Sequence, residues 1–279
     1  MNKVSVIMPC YNDGAYIEEA IGSVFSQTYK NIELIVIDDG SDDENTLQVL
    51  ERLTQSKIKV IRTQRLRPAG ARNVGIAEAS GTYILPLDAD DKIEPEYVER
   101  AVKVMEENKQ IGVVYCYADL FGEKTGRWDL PNYAFDKMLL DNIVFVSALF
   151  YKKDWERVGG FRAGMKYGME DYDFWLSIME LGKEIYQIPE VLFHYRIKPK
   201  SRTTEFMTNP EIVKQTYRDI YLNHPQLFEK YRDQYAIILR DALIEQIFIN
   251  RKLQESIKVL EKIKRTPLLK AIIKKYILK

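Results

Sequence analysis

"YILPLDADD", residues 83–91, runs from an apolar stretch straight into Asp88, Asp90 and Asp91. Tyr83 to Leu87 reads as a buried strand, and a core strand ending in three carboxylates places like charges side by side. Two explanations stand open: a solvated turn, or a place where something positively charged sits. The surrounding pattern is regular. "VSVIM" (4–8), "IELIVI" (32–37), "IKVIR" (58–62), "TYILPL" (82–87) and "IGVVYCY" (111–117) are short apolar runs. Between them lie stretches with helical spacing: "AYIEEAIGSVFSQ" (15–27), "DDENTLQVLERL" (42–53, with Ser41 as its cap), "AGARNVGIAEA" (69–79) and "PEYVERAVKVMEEN" (95–108, with Pro95 near its start). Strands alternating with helices imply βαβ units and an α/β fold built on a mostly parallel sheet.

In such sheets ligands bind outside the carboxyl ends of the strands. "PCYND" (9–13), "DDGSDD" (38–43) and "DADD" (88–91) follow the first, second and fourth runs, so the fold predicts that they converge. Asp88 and Asp90, one residue apart on a turn, suit a hard divalent cation such as Mg²⁺ or Mn²⁺; taken alone they suit a solvated turn as well. Asp38 and Asp39 can accept hydrogen bonds from a base or ribose, or belong to a βα turn. Arg72, in the first turn of its predicted helix, is an anion-site arginine or a surface one. In "GMEDYDFW", Glu170 and Asp171 precede an apolar helix face, as capping acids or as a general base.

Beyond residue 120 the pattern loosens. Residues 142–161 read as a strand followed by a short helix ending at Gly159–Gly160, 169–182 as an amphipathic helix, 183–189 as a short strand, 194–206 as a basic polar loop, and the chain from about 211 as mostly helix. The 279 residues carry no net charge, with 46% hydrophobic and 29% charged residues, which is ordinary for a globular chain. Cys10 and Cys116 both fall in strand-like runs and read as buried free thiols, which suggests a reducing compartment. The first residues hold too short an apolar run for a signal peptide, and no run approaches a membrane span.

"VSVIMPCYND", "SVFSQTYKNIELIVIDDGSDD", "ARNVGIAEASGTYILPLDADD" and "EDYDFWLSI", in that order, together resemble the family 2 inverting glycosyltransferases of the GT-A fold, over about residues 3 to 205. The resemblance implies a Rossmann-like, mostly parallel sheet flanked by helices, with a C-terminal helical extension. Residues 1–210 would form the catalytic domain (a nucleotide-sugar half over about 1–118, an acceptor half over about 119–210) and 211–279 a basic helical extension. It implies that Pro9, Tyr11 and Asp39 contact the nucleotide base. Arg72 would be the arginine of a loop closing over the nucleotide. Asp88 and Asp90 match the family's "DxD" motif, on ribose and on Mn²⁺ or Mg²⁺. Asp171 matches the catalytic base, with Glu170 beside it. The family often has a histidine two residues after "YR"; here "HYRIKPKSR" has Lys198 at that place, and His194, read as a packed strand-end histidine, comes earlier. Arg196, Lys198 and Arg202 are available to the diphosphate, and the third protein contact to the metal is left open. The expected reaction is metal-dependent, inverting transfer from a nucleotide-sugar, a UDP-sugar, to a hydroxyl of a glycan or lipid-linked acceptor in polysaccharide or cell-envelope synthesis. The alternatives are a non-catalytic sugar-nucleotide-binding scaffold and a nucleotidyltransferase. "PCYNDGAY" lacks the basic residue that the latter would carry.

Charge is unevenly spread. Residues 251–279 hold ten Lys/Arg against Glu255 and Glu261, a surplus of +8, and the first 250 residues balance it at −8. The acidic body argues against nucleic acid. In "SIKVLEKIKRTPLLKAIIKKYILK" (256–279) Lys and Arg alternate with Ile and Leu at helical spacing, which fits an anionic membrane surface, a packed helix or a dimer contact. On the first reading the protein is cytoplasmic and peripheral at the inner face of the membrane. Deleting residues 251–279 is then expected to abolish co-sedimentation with anionic liposomes; equal partitioning of the truncated and full-length chains would exclude the membrane reading.

Overall fold

The computed structural model describes residues 2–56, 58–199, 206 and 208–265. Val4–Cys10 forms β1, whose residues are buried almost throughout. An apolar run without polar alternation fits a strand covered on both faces. Ile32–Asp38 (β2) and Tyr83–Pro86 (β4) pair with it in parallel on either side, and Lys59–Arg62 (β3) pairs in parallel with β2. The chain thus builds outward from β1 to β3, then returns to the other flank of β1 with β4. The reversal makes the carboxyl end of β1 a topological switch point, where a crevice opens beside the sheet.

Past β4 the sheet becomes mixed. Its order is β3-β2-β1-β4-β8-β6-β9-β5, where β5 is Lys92–Ile93, β6 Ile111–Gly122, β8 Leu149–Tyr151 and β9 Glu184–Ile197; Gly126–Arg127 (β7) pairs with β6. β8 runs antiparallel to both β4 and β6, whereas β9 runs parallel to β6. Two sequence expectations are corrected here. Only Leu149–Tyr151 of the segment predicted to begin a strand at 142 is extended in the sheet. The predicted short strand at 183–189 continues to Ile197, because β9 follows β6 along the register from Ile111↔Glu184 to Gly122↔Ile197. "HYRI" therefore lies on a strand and not in a loop.

The helices are Ile17–Phe25 (α1), Glu44–Gln55 (α2), Arg67–Ala77 (α3), Tyr97–Glu107 (α4), Phe135–Leu140 (α5), Lys152–Val158 (α6), Glu170–Glu180 (α7), Pro210–Asn223 (α8), Pro225–Lys230 (α9) and Arg232–Arg265 (α10). The cap of α2 is Asp43, whose carboxylate accepts from the Asn45 and Thr46 amides; Ser41, the expected cap, is buried and accepts instead from the Asn12 amide. α6 stops at Gly159 in the left-handed conformation, as its sequence predicts. α7 is buried on most sides, with the Trp175 indole donating to the Val144 carbonyl at 3.0 Å. Asn223, at the end of α8, donates to Asp173 of α7 at 2.7 Å. Both cysteines are buried and unpaired with each other. The chain divides into two units, Met1–Lys230 and Tyr231–Lys279. Among the described residues no helix is long and apolar enough to cross a membrane.

α3 lies against β1 and β2 because Gly75 faces them. A Cβ there would stand 2.5 Å from the Ile7 Cγ2 methyl and 3.1 Å from Ile37. These branched, buried neighbours have no free rotamer to retreat into. Gly75→Val is expected to cost about 1–3 kcal/mol by overpacking and to lower the melting temperature by several degrees, measured by thermal denaturation.

Candidate active site

Three turns meet at the switch point. After β1, Asn12 adopts a positive φ of 57°, and its side-chain oxygen accepts from the Asp42 amide at 3.0 Å, binding the first turn to the second. After β2, the buried Asp39 carboxylate accepts from the Thr63 hydroxyl at 2.6 Å and the Leu66 amide at 2.7 Å. It thereby holds a third loop in which Arg65 lies over the Tyr11 ring, 3.9 Å from its centroid. Pro9 and Tyr11 are half-buried at the same edge. After β4, the Asp91 amide donates to the Asp88 carbonyl and closes the acidic turn.

Arg72 is not on a loop over the site. It lies inside α3, 2% exposed, and reaches across the crevice floor. Its Nη2 donates to Asp88 Oδ1 at 2.7 Å and its Nη1 to Glu170 Oε1 at 2.9 Å. The two carboxylates hold its guanidinium charged against the penalty of burial, and its pKa lies above the ordinary arginine value. The surface-arginine reading is excluded, and Glu170 is buried against this arginine at the first position of α7.

Asp90 and Asp91 are drawn into the sheet edge by β9. The Arg196 amide donates to Asp91 Oδ1 at 2.8 Å, and the Arg196 Nε to the Asp90 carbonyl at 2.8 Å. The Arg196 guanidinium also pairs with Glu19 and lies over Tyr16 and Phe121. This residue, expected on the diphosphate, is thus fastened to the turn itself. Lys198 Nζ stands 2.7 Å from Asp90 Oδ2 and 2.8 Å from Asp13 Oδ1. His194 is half-buried and bonded to Glu94 at 2.6 Å, a packed strand histidine as the sequence suggests. Arg202 lies outside the described residues.

The expected Mn²⁺ or Mg²⁺ on Asp90 and Asp88 does not fit these side chains as they stand. Each carboxylate already faces a cation, Lys198 and Arg72 respectively. Among the described residues no group of three or more His, Cys, Asp or Glu is arranged to hold a metal.

Beside the turn opens a cavity of about 490 Å³, lined by Arg72, Asp88, Glu170 and Asp171 on one side and by an aromatic wall on the other. Trp128 lies over Tyr195, with ring centroids 4.7 Å apart, and stacks on Phe145 at 6.0 Å. Such a volume and lining suit a ligand of one or two rings. Asp171 sits half-buried on the cavity wall, one residue after Glu170. Burial, then repulsion from Glu170, pushes its carboxyl up to about 6, with Arg72 and a hydrogen bond from Asn142 pulling the other way. A carboxylate of that basicity, facing a cavity, is equipped to take a proton near neutral pH.

The profile of Glycosyl transferase family 2 matches residues 5–172, which span all three turns, Arg72 and Asp171. The chain belongs to glycosyl transferase family 2. Among relatives of this family 2 chain, an uncharacterized glycosyltransferase of Haemophilus influenzae is 33% identical over 213 residues, 70% of this chain and 65% of that protein. An uncharacterized glycosyltransferase of Rickettsia prowazekii is 31% identical over 231 residues, covering 78% of this chain and 70% of the relative. The chain spans 19% of the Pasteurella multocida chondroitin synthase, at 28% identity over 64% of its own length. TarS of S. aureus, solved in complex with UDP, superposes with a TM-score of 0.62 at 22% identity, over 79% of this chain and 65% of that one. The mannosyltransferase PcManGT of Pyrobaculum calidifontis, solved with GDP-Man and Mn²⁺, gives 0.55 at 16% identity, over 99% and 87%. The architecture is the GT-A fold, as the motifs imply.

Sequence reasoning did not single out Asp13, Arg65, Trp128 or Asn142. Trp128 had a signal, a lone tryptophan in the polar stretch "EKTGRWDLPN", and Asp13 is the first acid after the switch-point strand. Asn142 and Arg65 had none. Arg72→Met in this family 2 chain is expected to cost about 3–5 kcal/mol in urea unfolding, because the Glu170 carboxylate stays buried without its cation. Adding Glu170→Gln should recover part of the loss; a double variant as unstable as the two singles summed would show that the pair is not coupled.

Proposed function

We propose that this family 2 chain moves a sugar from a nucleotide-sugar, a UDP-sugar, to a hydroxyl of a glycan or lipid-linked acceptor in one inverting displacement. The observation that carries the reading is Asp171: a carboxyl raised to about 6 on the wall of a cavity that also holds Asp88. The nucleotide complexes of TarS and PcManGT support a nucleotide-sugar donor in a fold of this kind. The base would lie by Tyr11 and the Arg65 loop that Asp39 orders, with Asp88 toward the ribose and the sugar in the cavity. The acceptor hydroxyl loses its proton to Asp171 while its oxygen attacks the anomeric carbon. The carbon–oxygen bond to the diphosphate breaks on the opposite face, and the electron pair leaves with the nucleoside diphosphate. No covalent enzyme intermediate is required. Trp128 and Tyr195 offer flat apolar surface to a sugar ring. A basic segment over 251–279 suits a lipid-linked acceptor, by holding the protein at an anionic membrane surface.

Asp171 works only when deprotonated, so log(kcat/KM) should fall by about one unit per pH unit below about 6 and level above it. Asp171→Asn is expected to keep nucleotide affinity in calorimetry and to lower transfer by roughly 10²–10⁴ in a donor-consumption assay. Near-normal transfer by this variant would remove Asp171 as the base.

A further inference from the structure

The acidic turn after β4 gathers more negative charge than a protein edge tolerates unaided. Asp88, Asp90 and Asp91 lie within four residues, and Asp13 comes in from the turn after β1. Asp91 is satisfied by backbone and Asp88 by Arg72. What remains is the pair Asp13 and Asp90, and among the described residues the cation between them is the Lys198 ammonium, 2.8 and 2.7 Å away. That is the bridging position a divalent cation would take between two oxygen donors.

Lys198 is not there by the chance swing of a long side chain. It follows directly on β9, whose Arg196 is bonded through both its amide and its Nε to the acidic turn. Its side chain is three-quarters removed from water, with Nζ 5.5 Å from the Tyr16 ring centroid. Both carboxylates face its ammonium within hydrogen-bond distance. An ammonium has three donors and no lone pair, so it cannot ligate a metal.

We propose that Lys198 is the resident cation of this site: held between Asp13 and Asp90, it supplies the positive charge toward the donor's diphosphate that a divalent ion would otherwise supply. The inference rests on the nucleotide-sugar reading above. It replaces a dissociable +2 ion by a covalently attached +1 charge, which cannot be lost to a chelator.

The test is calorimetric titration of UDP and of GDP into the full chain, in EDTA and in Mn²⁺, for wild type, Lys198→Ala and Lys198→His. Wild type is expected to bind its nucleotide with the same Kd, within about twofold, in both conditions. Lys198→Ala should weaken binding about tenfold or more in EDTA, as expected when one member of a desolvated charge pair is truncated. Lys198→His, which introduces a metal-ligating side chain, should bind weakly in EDTA and recover when Mn²⁺ is added. A general structural role for Lys198 would not make the metal response of the variant differ from that of wild type. Wild-type binding that is tenfold tighter in Mn²⁺ than in EDTA would overturn the inference and leave the proposed transferase standing. So would Lys198→Ala binding as wild type does. If neither nucleotide binds in any condition, the donor reading falls and the inference with it.

Discussion

A guanidinium withdrawn from water is tolerable only where carboxylates come to meet it, and around Arg72 two of them do so from distant parts of the chain. Asp88 lies 16 residues away at the end of a parallel strand, and Glu170 lies 98 residues away at the start of α7. One side chain thus fastens α3, the acidic turn and the helix that bears Asp171. Buried ion pairs are weak sources of stability compared with apolar packing of the same volume. The value of this one lies in position: moving any of the three elements would strand a charge. It also sets the chemistry next door. Burial first, and then Glu170, raise the Asp171 carboxyl while Arg72 lowers it, so two fixed neighbours trim a basicity that burial sets.

Before residue 118 most of the strands were legible because β1, β2, β4 and the first part of β6 are largely buried and read as nearly unbroken apolar runs. The convergence of 9–13, 38–43 and 88–91 followed from topology alone, since parallel strands that share a βαβ handedness put their carboxyl ends on one edge. The later half was harder for a physical reason. β9 is half-exposed over much of its length, and its last residues are Tyr195, Arg196 and Ile197, whose polarity resembles that of a loop. Its ladder with β6 and its short pairing with β5, both contacts between distant segments, hold it extended. The segment 142–148 misled in the opposite direction: "IVFVS" has strand composition but lines the cavity, with Val144 accepting from Trp175. Arg72 and Arg196 were recognised as site residues, yet their side chains turned out to be directed at protein carboxylates and backbone. Residue type announces a charge; it does not announce which partner will claim it.

The two walls of the cavity come from differently built parts of the fold. The charged wall hangs from the turn that bears Asp88, the interior of α3 and the first turn of α7, fastened together through the two ion pairs of Arg72. Much of the aromatic wall hangs from the β6–β7 hairpin, where the Trp128 amide donates to the Ala118 carbonyl at 3.0 Å, and from the connection through Phe145.

That division separates a bonded, buried wall from a more exposed one. On the proposed reading, exchanges in the exposed hairpin at 122–127 would reshape the face a sugar ring meets while leaving the Arg72 pairs in place. Epimeric sugars differ in which ring face is free of hydroxyls, so a change in the tilt of Trp128 alone would alter which epimer lies flat. On the proposed reading, the choice of sugar would then be set by a surface hairpin whose rebuilding leaves the charged, buried centre untouched.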